Sequence, residues 1–90
     1  MRKEKEQDHI IVAIHVTDRV LQAGMVQSVL TKYGGNIKTR IGLHELAPRK
    51  ASPAGVILLE LVGTRELTRA VLAALKKIRG VEAKSIVFAH

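Results

Sequence analysis

Hydrophobic residues recur with two different periods along this chain, and the period changes at polar or glycine-rich positions. From His9 the period is two, which predicts a β-strand. Its apolar face comprises Ile10, Val12, Ile14 and Val16. The spacing then becomes three and four, which predicts a helix that begins at Arg19 after an N-cap at Asp18 or Thr17. The apolar stripe of this helix comprises Val26, Val29, Leu30 and Tyr33.

The glycine pair Gly34–Gly35 is predicted to end this helix, because glycine adopts the left-handed conformation without a steric clash. A second strand is predicted from Ile37 to Leu46. Residues 47–54 contain both prolines of the chain, which favours a long, mobile connection over a strand or a helix. A third strand covers Gly55–Val62, and its apolar content is typical of a central strand buried on both faces.

The second half of the chain repeats the pattern of the first about 45 residues later. Thr64 is predicted to cap a second helix and Gly80 to end it. The stripe of this helix comprises Leu67, Val71, Ala74, Leu75 and Ile78, and the last strand runs from Val81 to Phe88. The order βαββαβ with right-handed crossovers predicts an α+β, ferredoxin-like fold. Its four-stranded antiparallel sheet would have the order 4-1-3-2, with both helices on one face.

Composition indicates one small domain with an aliphatic core. The chain has 90 residues, 47% of them hydrophobic, and its aromatic residues are Tyr33 and Phe88. The absence of cysteine excludes disulfides and thiol catalysis. We expect residues 1–8 to form a disordered tail and residues 9–90 a single domain. No apolar stretch approaches the roughly 18 residues of a membrane span, and the charged N-terminal residues do not match a signal peptide. We therefore expect a cytoplasmic protein with no membrane partner.

The predicted helices cover one face of the sheet and leave the other open. The helix-facing set is expected to include Ile10, Val12, Ile14, Ile41 and Leu43. The opposite face would then receive Ile11, Ala13, His15, Arg40 and His44, joined in one register by Ile86 and Phe88. An uncovered apolar face is typical of an interface. The sequence therefore predicts a homodimer or higher homo-oligomer that forms by sheet-to-sheet packing.

The most distinctive short stretch is Arg40-Ile-Gly-Leu-His44 on the second strand. In one interpretation it forms a site for an anion or polar ligand, with Arg40 pairing the anion and His44 supplying a titratable donor beside Gly42. In the other, Gly42 marks an edge-strand bulge, and the cation blocks edge-to-edge aggregation. Arg19 and His15 are the further candidates for ligand binding.

The residue pattern does not predict a metal centre or an active site. His15 and His44 would lie about 10 Å apart across the intervening strand, too far to share one metal ion within a subunit. We interpret them as surface or interface histidines. Paired carboxylates and a serine–histidine–aspartate constellation are missing, so we expect no enzyme. The sequence assigns no cofactor.

The net charge of +7 supports a different kind of partner. The tail contributes none of this charge, because it holds three basic and three acidic residues. A basic surface attracts polyanions, so the alternative function is nucleic-acid binding through the helices. The residues concerned are Lys32, Arg65, Arg69, Lys76, Lys77 and Arg79. Against this alternative, nucleic-acid readers usually interleave basic residues with stacking aromatic ones.

A set of short motifs covers nearly the whole chain after the tail. The motifs are Asp18-Arg19, Tyr33-Gly-Gly-Asn-Ile37, Arg40-Ile-Gly42, Val56-Ile57, Gly63 and Gly80-Val-Glu-Ala-Lys84. In these the chain resembles the iron-only hydrogenase system regulators, short ferredoxin-like proteins related to ACT domains and to the sensing domain of the nickel-responsive repressor. The resemblance implies a small oligomeric module that regulates or senses an effector, a small molecule or a metal, which is undefined for the family.

The chain departs from the ligand patterns of those two relatives. ACT domains that bind amino acids usually place glycine before the first helix, where this chain has Asp18-Arg19 followed by Val20 and Leu21. The nickel pattern needs two histidines and a following cysteine, but this chain keeps only His44, with Gly42 at the other position. No DNA-reading motif precedes the domain. Transcription regulation would therefore act through a partner or through the basic surface.

Overall fold

The structure, a computed structural model, describes residues 8–44 and 54–89, with the side chains of Val20, Leu43 and His44 outside that description. Its elements are β1 (His9–Val16), α1 (Arg19–Lys32), a 3₁₀ turn (Gly34–Asn36), β2 (Ile37–His44), β3 (Gly55–Leu61), α2 (Arg65–Lys76) and β4 (Val81–Phe88). The strands form one antiparallel sheet in the order β2-β3-β1-β4. The predicted ferredoxin-like fold is confirmed. The predicted two-proline connection, residues 47–54, lies outside the described ranges except for Ala54, as does most of the predicted tail.

The core lies between one face of the sheet, here called the covered face, and the two helices. Strand β1 supplies every second residue to this core, because side chains alternate between the faces of a strand. The fully buried side chains of the core are Ile10, Val12, Ile14, Leu59, Leu61, Val71 and Leu75. The apolar face predicted for β1 is therefore confirmed, and the core is aliphatic as the composition requires.

Helix α1 begins with a reciprocal capping arrangement. The Oδ1 atom of Asp18 accepts a hydrogen bond from the amide of Leu21 (3.2 Å), so Asp18 is the N-cap. The side chain of Gln22 is buried, and its Oε1 accepts from the amide of Asp18 (3.1 Å). Its Nε2 donates to Thr17 Oγ1 (3.1 Å) and to the carbonyl oxygen of Arg79 (2.8 Å). Gln22 thus joins the start of α1 to the turn before β4.

The two glycine signals lie in turns of different kinds, and α2 ends at Lys76, before the predicted stop at Gly80. Gly80 has a φ of 82°, in the left-handed region, as predicted. Its carbonyl oxygen accepts hydrogen bonds from both the amide and the Oγ1 of Thr17 (3.2 and 3.1 Å). Gly34 and Gly35 instead lie in a 3₁₀ turn without positive φ, so their predicted left-handed conformation is wrong. A tightened last turn satisfies the helix end without it.

Helix α2 has the start and the face that its sequence predicts. The Oγ1 of Thr64 accepts a hydrogen bond from the amide of Leu67 (3.1 Å), which confirms the cap. Thr68, Val71 and Leu75 form its buried stripe. None of the helices in the described ranges is long and apolar enough to cross a membrane.

The register of β2 differs from the prediction because of a bulge at Lys38. Ile37 pairs with Leu61 and Thr39 with the adjacent Glu60, so one extra residue is inserted on β2. One inserted residue moves every later side chain to the other face. The prediction of a bulge at Gly42 is therefore wrong in position by four residues.

The consequence is that β2 presents the opposite set of residues to the helices. Arg40 and Gly42 pair with Leu59 and Ile57, on the covered face. The predicted placement of Arg40 on the open side, and of Ile41 under the helices, is wrong. The Nη2 of Arg40 donates to the Oε1 of Gln27 on α1 (3.0 Å), in agreement with this register.

Candidate functional site: the open face of the sheet

The surface of the sheet opposite the helices, here called the open face, is the main candidate site. Strands β3 and β1 form its centre, and β2 and β4 form its edges. By the pairing register, its described side chains are Thr39, Ile41, Val56, Leu58, Glu60, His9, Ile11, Ala13, His15, Glu82, Lys84, Ile86 and Phe88. Every strand of the sheet therefore contributes to it.

The open face is apolar over much of its area. Ile86 and Phe88 are each 58% exposed and Ile41 is 49% exposed, while Leu58 between them is only half-buried. The predicted presence of Ile86 and Phe88 on this face is confirmed. Strand β3 is central, as predicted, but only Gly55, Leu59 and Leu61 on its covered face are buried, and its other residues are partly buried. Apolar side chains that are contiguous and solvent-exposed usually mark an interaction site.

A shallow cavity of about 270 Å³ lies at one end of the open face. Its lining residues are Ala13, Ile14, His15, Val56, Glu82 and Lys84. The space exists because Ala13 is small and stands between Leu58 and Lys84 in its row across the sheet. In the next row His15 stands between Val56 and Glu82. The cavity therefore has an apolar floor and three ionisable groups at its rim.

The charges at this rim are of both signs. Lys84 Nζ lies 3.6 Å from Glu82 Oε2, and both side chains are mostly exposed. An exposed ion pair contributes little to stability, typically about 0–1 kcal/mol. These groups can thus be redirected to a ligand at small cost. A carboxylate, an ammonium group and an imidazole together could hold a small polar molecule that carries both acidic and basic groups.

The structure does not bring the five sequence-predicted ligand residues together. His15 lies on the open face, whereas Arg40 and Gly42 lie on the covered face at the β2 edge. Arg19 is the first residue of α1. The side chain of His44 lies outside the described residues. Whether any of the five binds a ligand stays a prediction, but they do not form a single site.

The structure gives a local role to Arg40 but shows no need for glycine at position 42. A Cβ at Gly42 would meet no atom within 4 Å, so no close approach requires glycine there. Arg40 bonds to Gln27 on the edge strand, which fits the interpretation of a cation that guards a sheet edge.

Sequence reasoning missed Glu82 and Lys84 as site residues. Their signal was present, because Glu82, Lys84, Ile86 and Phe88 alternate along β4 on one face. Placing them beside His15 needs the β1–β4 register, which the sequence left open. Among the described residues, no group of three His, Asp or Glu side chains could hold a metal ion.

Comparison with solved structures supports the fold. A similar structure is that of TM1266, an uncharacterized protein from Thermotoga maritima, with a TM-score of 0.78 and 26% identity over 91% of this chain and 98% of that one. An unknown protein from Galdieria sulphuraria has a TM-score of 0.69 and 17% identity. This chain covers 54% of its length, and 99% of this chain is matched.

A third solved structure is more distant. CPII from Thiomonas intermedia K12, bound to ADP, AMP and acetate, has a TM-score of 0.50 and 12% identity over 97% of this chain and 94% of that one. No family model matches the sequence, and no curated protein matches it. The comparisons therefore establish the ferredoxin-like fold and leave the function to be argued from the surface itself.

Proposed function

We propose that this protein is a non-enzymatic regulatory module that senses a small ligand as a homodimer, with two open faces packed together. The observation that carries the proposal is the exposed apolar surface of Ile41, Ile86 and Phe88, on a face that neither of the two described helices covers. Covering this surface with a second copy would remove it from water, which is the main driving force of most association.

The open face is large enough for an interface with a second copy that is smaller than the standard size. Four strands about 4.8 Å apart and some seven residues long give a face of roughly 20 by 23 Å. The accessible area of such a corrugated surface exceeds its projection, and a standard interface buries about 800 Å² per partner. A twofold axis would place the same face on both sides, as in most homodimers.

Charge also favours a second copy on this face. The chain has a net charge of +7, so two copies repel each other at long range. On the open face, however, Glu60 and Glu82 are balanced by Lys84 and by Lys38, whose Nζ reaches to 4.0 Å from Glu60 Oε2. Two copies of this basic protein can therefore meet through their open faces without net electrostatic repulsion there.

The proposed ligand position is the cavity beside His15. In the dimer the second copy would cover this cavity, so that a ligand would contact both subunits and change the dimerisation equilibrium. This arrangement keeps the interface site that the sequence suggested but moves its centre from Arg40 to His15, Glu82 and Lys84. The motif resemblance supports a regulator of the iron-only hydrogenase system type.

Light scattering tests the dimer. Wild-type protein at micromolar concentration should have twice the 9.9 kDa chain mass. Ile86→Ser on the open face should shift the protein toward monomer, whereas Met25→Ser on α1 should not. The two side chains are matched in exposure, 58% and 60%. A wild-type monomer, or equal effects of both substitutions, would contradict the proposed interface.

A thermal-shift screen of amino acids, nucleotides and metal ions tests ligand binding. A compound that raises the melting temperature of the wild type should lose its effect in His15→Ala and in Glu82→Gln, and keep it in Arg40→Ala. Loss in Arg40→Ala alone would place the ligand on the covered side of β2 and refute the cavity assignment. If no compound produces a shift, the sensing function fails while the dimer stands on its own measurement.

A further inference from the structure

The charge of the folded domain is distributed unevenly between its two layers. The open face is balanced, as described above. The two helices and the turn after α2 instead carry most of the excess positive charge. Their basic residues are Arg19, Lys32, Arg65, Arg69, Lys76, Lys77 and Arg79, against the acidic residues Asp18 and Glu66. The excess charge therefore belongs to the surface that the dimer leaves outside.

Three basic residues of α2 lie on the same side of the helix. At 100° per residue, Arg65, Arg69 and Lys76 lie within an arc of about 40°, centred roughly 110° around the helix from its buried residues Thr68, Val71 and Leu75. All three are exposed. From Arg65 to Lys76 they span about 16 Å along the helix axis, given a rise of about 1.5 Å per residue. Lys77 and Arg79, which are also exposed, follow in the turn beyond the end of the helix.

Arg65 differs from the other basic residues of this region because it already has an ion-pair partner. Its Nε lies 2.8 Å from Asp8 Oδ2. Arg69, Lys76, Lys77 and Arg79 are exposed, and no ion pair within 4.0 Å is found for them among the described residues. These four residues are here called the basic stripe. Four exposed cations without an ion-pair partner among the described residues give α2 and the turn after it an excess of positive charge.

We infer that the basic stripe of α2 binds the phosphate backbone of double-stranded nucleic acid without reading its sequence. Lys and Arg that neutralise phosphates release condensed counterions, which drives such binding. Single-stranded nucleic acid is disfavoured because its binding relies on stacking against aromatic rings. Of the two aromatic residues in the chain, Phe88 lies on the open face, and Tyr33 lies under Lys32, whose Nζ is 5.5 Å from the ring centroid.

This inference does not depend on the proposed ligand or on the dimer. It gives this domain a way to bind a nucleic acid through its own surface. If the dimer forms, its two basic stripes lie on opposite outer sides of the assembly and could engage two duplexes or two segments of one duplex. Bivalent attachment would raise the apparent affinity without any new contact.

The experiment is a fluorescence-anisotropy titration of a labelled DNA duplex of random sequence, from 50 to 200 mM salt. With three or four phosphates neutralised, the slope of log affinity against log salt should be about −3 to −4, a loss of roughly 40- to 150-fold over this range. Two duplexes of unrelated sequence should bind equally. The same strand without its complement should bind more weakly.

The key variant is Arg69→Gln/Lys76→Gln, which removes two charges from the basic stripe. Its salt slope should fall by about two. The matched control Lys32→Gln/Arg40→Gln removes the same charge from two exposed positions outside both the basic stripe and the open face, and it should keep the wild-type slope. Circular dichroism and light scattering confirm that both variants keep the wild-type fold and mass. The test is then free of folding and assembly effects.

Three outcomes would overturn the inference. The first is no duplex binding at 50 mM salt. The second is an equal loss of slope in both double variants, because the charge would then act only through its total. The third is preferential binding of the single strand or of an acidic protein, which would assign the stripe to a different class of partner.

Discussion

The two faces of the sheet are built from the same four strands, yet they have opposite relations to solvent. On β1, Ile10, Val12 and Ile14 of the covered face are 0% exposed, while His15 on the other face is solvent-exposed. On β3, Leu59 is 1% exposed and its neighbour Leu58 is half-buried. The comparison teaches that the alternation of a strand fixes which residues share a face. What covers a face depends on elements from elsewhere in the chain, or on another chain.

The largest expected effect separates these two neighbours on β3. Leu59→Ala should lower the free energy of unfolding by about 2–5 kcal/mol, because it leaves a cavity in a closed core. Leu58→Ala should cost about 1 kcal/mol in the dilute protein, since its side chain is only partly removed from water. Urea denaturation measures both. Equal losses would mean that the open face is as well packed as the covered one.

A second comparison concerns two glycines on the helix side of the sheet. Gly80→Ala should destabilise the protein by about 2–4 kcal/mol, through the cost of positive φ and the displacement of the buried Gln22 amide, which the new Cβ would contact. Gly42→Ala should be neutral or stabilising by about 0.5 kcal/mol, because the added Cβ meets open space. Thermal unfolding distinguishes the two. A strongly destabilised Gly42→Ala would show that the β2 edge is closed by residues not considered above.

How far the sequence predicts this molecule follows from these same positions. The element order, the buried face of β1, the Thr64 cap and the turn at Gly80 each follow from a local signal of one or a few residues. The faces of β2 do not, because they depend on one inserted residue. Lys38 carries no mark of a bulge, whereas Gly42, which does suggest one, lies in regular pairing.

The candidate site was predictable only in part for a similar reason. The odd positions of β1 place His15 on the open face directly from alternation. Glu82 and Lys84 lie 67 and 69 residues further along the chain, so their proximity requires the register between β1 and β4. The sequence pattern assigns Arg40 to the wrong face because it does not show the bulge at Lys38. The alternation of side chains shows which residues of one strand share a face. Only the pairing register shows which residues are neighbours on adjacent strands.

A substitution at the N-cap of α2 measures how much the end of this helix contributes to the stability of the protein. Thr64→Ala should cost about 1 kcal/mol, because the amide of Leu67 loses its hydrogen-bond acceptor. Thr31→Ala on the exposed side of α1 is the matched control and should be neutral or slightly stabilising, since alanine favours helix more than threonine does. Both are read from the midpoint of chemical denaturation. A neutral Thr64→Ala would mean that α2 is held by packing alone.

The smallest expected effect is the most informative about the open face. In dilute solution Ile86→Ala should change the free energy of unfolding by less than about 0.5 kcal/mol, because the side chain is 58% exposed. If a second copy covers the face, folding is linked to association, and the melting temperature of the wild type rises with protein concentration. Ile86→Ala should weaken this rise, so the two proteins would diverge as concentration increases. Melting curves that stay parallel at all concentrations would mean that no second copy covers the open face, and that the difference between the two faces persists in the native protein.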